Sequence, residues 1–257
     1  MNKNAFEEFN TDGVSQSVLN PEPPQKFIMG LMTASRNPFS EFGDLSDQTT
    51  IPLDAILSAH ASAMDRLTEA YKQLIAECLG EGVWQPNRDA IIHTYEVACR
   101  LVVALEWTIA DVEVFCVHAL QSDDPAFLVR DPLCLFLSAF FNASSNDNFK
   151  LDLTGQNLRL PLMGYRLRAG LKLTVIGNLG DLTGLSLEGG HLYVVGSVRS
   201  HLGAGMKSGR IDVSEDAGRF VGEQMTGGEI HVEGRLGGLG NPKGGQVYHH
   251  KQIIFGQ

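Results

Sequence analysis

The sequence predicts an α+β protein: an N-terminal all-α region followed by a right-handed parallel β-helix, a solenoid with coils of about 19 residues. Three observations lead there. Apolar residues between Leu53 and Phe141 recur at three- and four-residue steps, the spacing that lines one face of a helix. Of 28 glycines, 23 lie at or beyond Gly155, a density that in an ordered chain means repeated backbone positions reserved for glycine. In that same stretch aliphatic residues return at a fixed period, the signature of stacked repeats.

Residues 1–50 carry scattered Asn, Ser, Pro and acidic residues with little periodicity and read as an extended, partly disordered arm. Its one apolar cluster, Phe27, Ile28 and Met29, is where it would dock. From Pro52 the pattern turns helical. Leu53, Ile56, Leu57, His60, Met64, Leu67, Tyr71, Leu74 and Ile75 draw an apolar stripe, and Gly80 and Gly82 offer a stop. Asn87 or Arg88 opens a second helix through Ile91, Tyr95, Leu101 and Val102, and a third spans 111–120. Asp124-Pro125 and Asp131-Pro132 each read as an acidic N-cap followed by proline at the first helical position. The last helix, 133–141, is apolar on nearly every side and is expected at the centre of the bundle. The polar run 142–148 ends it. The resulting division is an acidic helical domain, 51–145, and a β-helix, 150–257.

The repeat itself has a period of 19 residues. Gly184, Gly203 and Gly222 share one column, Gly190, Gly209 and Gly228 a second, and Leu187, Met206 and Met225 a third. Strands are predicted at 172–176, 191–195, 210–214 and 229–233. Their second position reads Leu173, Leu192, Ile211, Ile230, and their fourth reads Val175, Val194, Val213, Val232. Two residues one apart on a strand point the same way, so these columns stack into a dry interior, each coil bonded to the next through parallel strands about 4.8 Å apart. Sharp corners between the strands account for the glycines. The ends of such a stack need cover, and the helical domain is expected at one end and residues 246–255 at the other. The residue between the inward pair faces out: Thr174, Tyr193, Asp212, His231. Tyr193, Asp212 and His231 are therefore a candidate partner-facing patch, weighed against a plain solvated face, which is the favoured reading. Column one stacks Lys172, His191, Arg210 and Glu229, placing Arg210 to pair with Glu229 across coils.

The stretches GAGMKSGRIDV (203–213), AGRFVGEQMTGGEIHVEG (217–234) and GGQVYH (244–249) resemble the GXGXG domain. That domain is the C-terminal β-helix of the glutamate synthase large subunit and recurs in one of the subunits of formylmethanofuran dehydrogenase. The resemblance covers residues 150–257 and implies a bracing element with no catalytic residue of its own. It also implies, as the alternative, an accessory subunit of an oxidoreductase or amidotransferase complex whose active sites lie on partner chains.

Other constellations read more plainly. The run 203–209 ends in Lys207-Ser208-Gly209, but Met206 stands where a phosphate loop needs glycine and a strand follows instead of a helix, so it reads as a corner. His191, His231, His249 and His250 do not share a column of the repeat, which speaks against a metal site. Cys116 and His118 are two apart on a helix and diverge, so a core cysteine is expected and not a nucleophile pair. His93, Tyr95 and Glu96 share a turn without forming a catalytic signature. No catalytic, cofactor-binding or metal-binding residue is assigned. The expected function is a non-catalytic scaffold or docking subunit.

Charge supports two units of different character. Residues 1–149 hold 8 Lys+Arg against 21 Asp+Glu, whereas 150–257 hold 12 against 9. Neither concentrates the positive field that nucleic acid requires, so protein partners or self-association are expected. No apolar run approaches the roughly 20 residues of a membrane span. The N-terminal residues lack the apolar core of a secretory signal, and the four cysteines form no Cys-x-x-Cys pair. A cytoplasmic location is expected.

Overall fold

Capping chemistry sets the helix starts. The structure, a computed structural model, describes residues 53–79, 84–155 and 159–256. The arm 1–50 with Phe27, Ile28 and Met29, the glycines Gly80 and Gly82, and the side chains of Leu53, Ile56, Leu57 and His60 lie outside the described residues. Helix α1 is Leu53–Leu79 and α2 is Arg88–Val103. Asn87 caps α2, its side chain accepting from the Ala90 amide at 2.9 Å. A reciprocal box between Thr108 and Asp111 opens α3, Ile109–Gln121. Asp124 caps α4, Pro125–Leu128, with Pro125 at the first position as expected. Asp131, by contrast, does not cap α5, Arg130–Ala143. Val129 serves both as the C-cap of α4 and the N-cap of α5. The helix therefore starts two residues before Pro132, and Asp131 falls in its first turn, where its charge still favours the helix dipole.

Every residue of α5 from 132 to 141 is buried, as its all-round apolar character predicts. Around it the core is aromatic. Tyr71 stacks on Phe127 at 4.9 Å, and Phe136 meets Phe115 and Phe140 edge-on at 5.8 and 4.8 Å.

The remainder is a solenoid. Strands β1 (Asn148–Asp152), β2 (Lys172–Ile176), β3 (Glu188–Val195), β4 (Ser208–Val213), β5 (Glu229–Val232) and β6 (Gln246–His249) pair in parallel in chain order, and β7 (Gln252–Phe255) closes antiparallel on β6. Both aliphatic columns take the predicted register: Leu173, Leu192, Ile211 and Ile230 face one another in turn, as do Val175, Val194, Val213 and Val232. All eight are buried. The columns extend further than the sequence reading, to Phe149 and Leu151 before them and to Val247 after. The middle coils take 19 residues, the one from Phe149 to Leu173 takes 24, and the one from Ile230 to Val247 takes 17. Residues 246–249, expected as part of a terminal cover, are instead one more rung, and only β7 terminates the stack. Strand boundaries also shift: β3 and β4 start earlier than expected, at Glu188 and Ser208, while β4 and β5 stop at Val213 and Val232.

Glycine is needed where coils touch. At Gly209 a Cβ would sit 2.3 Å from the carbonyl oxygen of Gly190, and at Gly203 a Cβ would sit 2.5 Å from Ile230 Cδ1. Glycine does not, however, make every corner. Leu162, Leu182, His201 and Phe220 turn one corner at φ between 57° and 63°, and Arg166, Ser186 and Gln224 turn another at 51° to 55°. The reason is compensation by the neighbouring coil. The amides of Leu162, Leu182 and His201 donate to the Asp181, Ser200 and Arg219 carbonyls at 2.8–3.0 Å, which offsets the left-handed strain.

Helices and solenoid share one continuous hydrophobic core. Their seam is α5 against the first coil. Asn142 donates to the Tyr95 hydroxyl and the Tyr165 carbonyl and accepts from the Arg168 amide, at 2.8, 3.2 and 2.9 Å. Ser138 accepts from the Tyr165 amide at 3.2 Å, and Phe141 packs on Phe149 with ring centroids 4.9 Å apart.

Candidate functional site

Strand alternation sends the first and third residues of each rung to the same outer face. The predicted outward column is in register: Thr174, Tyr193, Asp212 and His231 stand side by side, continued by Tyr248 on β6. Tyr193, Asp212 and His231 line one shallow cleft of about 190 Å³ together with Val213, Ser214 and Glu233. That volume is below the roughly 300–1,000 Å³ of small-molecule sites.

Adjacency does not make these three residues bond one another. Asp212 is held instead by column one. Arg210, two residues back on the same strand, donates Nε and Nη2 to its two oxygens at 2.7 and 2.6 Å. His191 reaches it from the previous coil with Nε2 2.6 Å from Oδ2. Arg210 also lies 3.5 Å from Glu229 on the next coil, as the sequence spacing anticipates. Glu229 in turn pairs with His231 at 3.1 Å, and the His231 ring lies flat on Tyr248 with centroids 4.2 Å apart. Burial would raise the Asp212 pKa, but the hydrogen bonds from Arg210 and His191 together hold the carboxyl below the usual carboxylate range. The result is a prearranged ladder across four coils: His191, Asp212, Arg210, Glu229, His231, Tyr248. Tyr193 stands beside it, 36% exposed, its hydroxyl without a hydrogen-bond partner among the described residues.

Linkage between columns one and three was within reach of the sequence, because Arg210 and Asp212 share a face by strand parity. Tyr248 was missed because the last coil is two residues short, which hides it from a fixed period.

Other residues singled out in the sequence lie outside the ladder. Gly203 and Gly205 form a corner at φ 64° and 61°, and the Lys207 ammonium pairs with Glu188 at 2.6 Å. Cys116 is buried, which pushes its thiol up to about 12, and His118 packs edge-on against Phe127. Tyr95 belongs to the seam with Asn142. Among the described residues no three His, Cys, Asp or Glu side chains converge on a metal position, and His249 turns to the Gly234 carbonyl at 2.8 Å. No described helix is long and apolar enough to cross a membrane.

No protein-family model, curated protein or solved structure matches this chain. The chemistry of the ladder is therefore the guide to function.

Proposed function

We propose that the chain is a non-catalytic docking subunit whose solenoid wall holds a protein partner. One observation carries this reading: an outer face already ordered by inter-coil ion pairs, with an exposed tyrosine beside it and a cleft below the volume of small-molecule sites. A preorganised polar face loses little side-chain freedom on binding, and tyrosine and arginine are the residues that anchor protein interfaces. Neither half of the chain concentrates the positive field that nucleic acid requires, which favours a protein partner. Four unpaired cysteines support a reducing compartment, the cytoplasm. The outer edge of β7, which ends the strand order, favours self-association as a second mode of contact. We take the winding as right-handed, the hand adopted by about 98% of parallel strand–connection–strand units.

A second reading is kinship with the GXGXG β-helix, and with it a place as accessory subunit of an oxidoreductase or amidotransferase complex. What supports it is that all three stretches carrying the resemblance fall on the corners and strands of consecutive coils.

The test is to isolate the full-length chain with its native complex and measure partner stoichiometry by mass spectrometry, for the wild type and for Tyr193→Ala with Arg210→Ala. The docking reading expects a stoichiometric partner lost from the double variant. A chain recovered alone, or a partner retained undiminished by the variant, would end it. A flavin, iron–sulfur or molybdopterin enzyme as that partner would select the second reading.

A further inference from the structure

A larger groove lies away from the ladder, where the start of α2 meets the corner turned by Arg166, Ser186 and Gln224. It measures about 750 Å³, inside the range of small-molecule sites, and Arg88, Ile91, Ile92, Tyr165, Arg166 and Leu185 are among its lining residues. Its polar lining is mixed: Lys207 pairs with Glu188, and Glu223 accepts from Gln224 and from the Asn241 amide. Three solenoid arginines have carboxylate partners: Arg168 with Asp147, Arg210 with Asp212 and Arg235 with Asp216. Arg166 has none among the described residues. Its guanidinium sits over the rings of Tyr165 and Tyr95, 5.3 and 6.0 Å from their centroids, and its Nε is fully buried with no hydrogen-bond partner. Tyr165 is only 2% exposed, lines the groove, and has no partner for its hydroxyl among the described residues. Arg88, unpaired in the same sense, occupies the first turn of α2, where the helix dipole adds positive potential.

A buried guanidinium N–H without an acceptor is destabilising unless a ligand completes it. Flanking tyrosine rings fix the guanidinium plane and desolvate it, which strengthens any charge-assisted bond it makes. One planar fork beside one hydroxyl donor matches a carboxylate. Arg88 and Lys207 also line the groove, so inorganic phosphate is the competing anion to be tested against a carboxylate. The aliphatic side chains of Ile91, Ile92, Leu182 and Leu185 supply a surface for an uncharged body.

We propose that this groove binds a small organic acid, its carboxylate accepting from Arg166 and Tyr165 and its apolar body lying along Ile91, Ile92, Leu182 and Leu185. The inference stands independently of the docking role.

Octanoate is a suitable probe, titrated calorimetrically into the full-length chain beside 1-octanol, which has the same body without the charge. Saturable one-to-one binding of octanoate is expected, with octanol at least about tenfold weaker. Arg166→Gln should weaken octanoate by about tenfold and leave octanol unchanged. The fold tolerates glutamine there, since Gln224 turns the same corner further along the solenoid at φ 55°. Tyr165→Phe, which keeps the ring, should weaken octanoate by a smaller factor. Absence of saturable binding, equal affinity for octanol, displacement of octanoate by inorganic phosphate at matching concentration, or unchanged affinity in both variants would each overturn the proposal.

Discussion

The helical region and the solenoid bury their apolar surface by opposite means. Around α5 each contact is made once: Tyr71 on Phe127, Phe115 on Phe136, Trp107 on Phe140, rings of different size meeting at different angles. In the solenoid one contact is made repeatedly, an aliphatic residue on its equivalent one coil away. A unique aromatic fit has no neighbour that can substitute for it. A column position does have equivalents, but its backbone must pass within touching distance of the next coil. The two regions should therefore fail for different reasons, side-chain volume in one and backbone clearance in the other.

The largest effect is expected from Phe136→Ala, which empties the centre of the aromatic cluster. A loss of about 3–5 kcal/mol is expected in urea denaturation. A loss below about 1 kcal/mol would mean that the helical core collapses around the void and is no more particular than the columns.

Next comes clearance in the solenoid. Gly209→Ala places a methyl 2.3 Å from the Gly190 oxygen at φ +94°, whereas Gly170→Ala at φ +82° meets nothing within 4 Å. The first should cost about 3 kcal/mol or more and the second about 1–2, the backbone strain alone. Equal losses would show that dihedral strain, not coil contact, reserves the column for glycine.

The seam tests whether the contrast extends to folding. Asn142→Ala removes three hydrogen bonds between α5, Tyr95 and the first coil and should cost about 2 kcal/mol. Because the core is continuous, helical circular dichroism and hydrogen exchange in β2–β5 should lose stability together. Loss confined to the helices would mean that the solenoid stands alone.

The smallest effect concerns the ladder and depends on pH. Asp212 is held below its ordinary pKa in the folded chain, so at mildly acidic pH the unfolded chain binds more protons. The stability this confers is present above the ordinary carboxylate value of about 3.9 and drains away as pH falls through the lower folded value. Asp212→Asn should lower the melting temperature slightly near neutral pH and flatten its decline below about pH 4. Parallel acid profiles for the two proteins would show that the Arg210 and His191 contacts carry no net stability.

Much of the architecture was legible before any coordinates. Leu192, Ile211 and Ile230 announce their stacking because a solenoid repeats its environment, so one environment is sampled several times along the chain. Asp124-Pro125 announced a helix start because capping is a contact between near neighbours. Asp131-Pro132 misled because Val129 already caps both flanking helices, a conflict set by how closely α4 and α5 follow one another. The left-handed Leu162, Leu182 and His201 were invisible for a related reason: hydrogen bonds to the next coil, not residue type, make those corners tolerable.

Sequence alone determined which residues face the solenoid interior and which face out, since strand parity and a fixed period are local properties of the chain. Tertiary structure decided which outward residues bond to which, so that Asp212 joins Arg210 and His191 while Tyr193 stands apart from the ladder. It alone also brought Arg166 and Tyr165 to the start of α2 in one groove. Those pairings depend on side-chain reach and on where a helix lands against a coil, and neither is encoded at any single position or period.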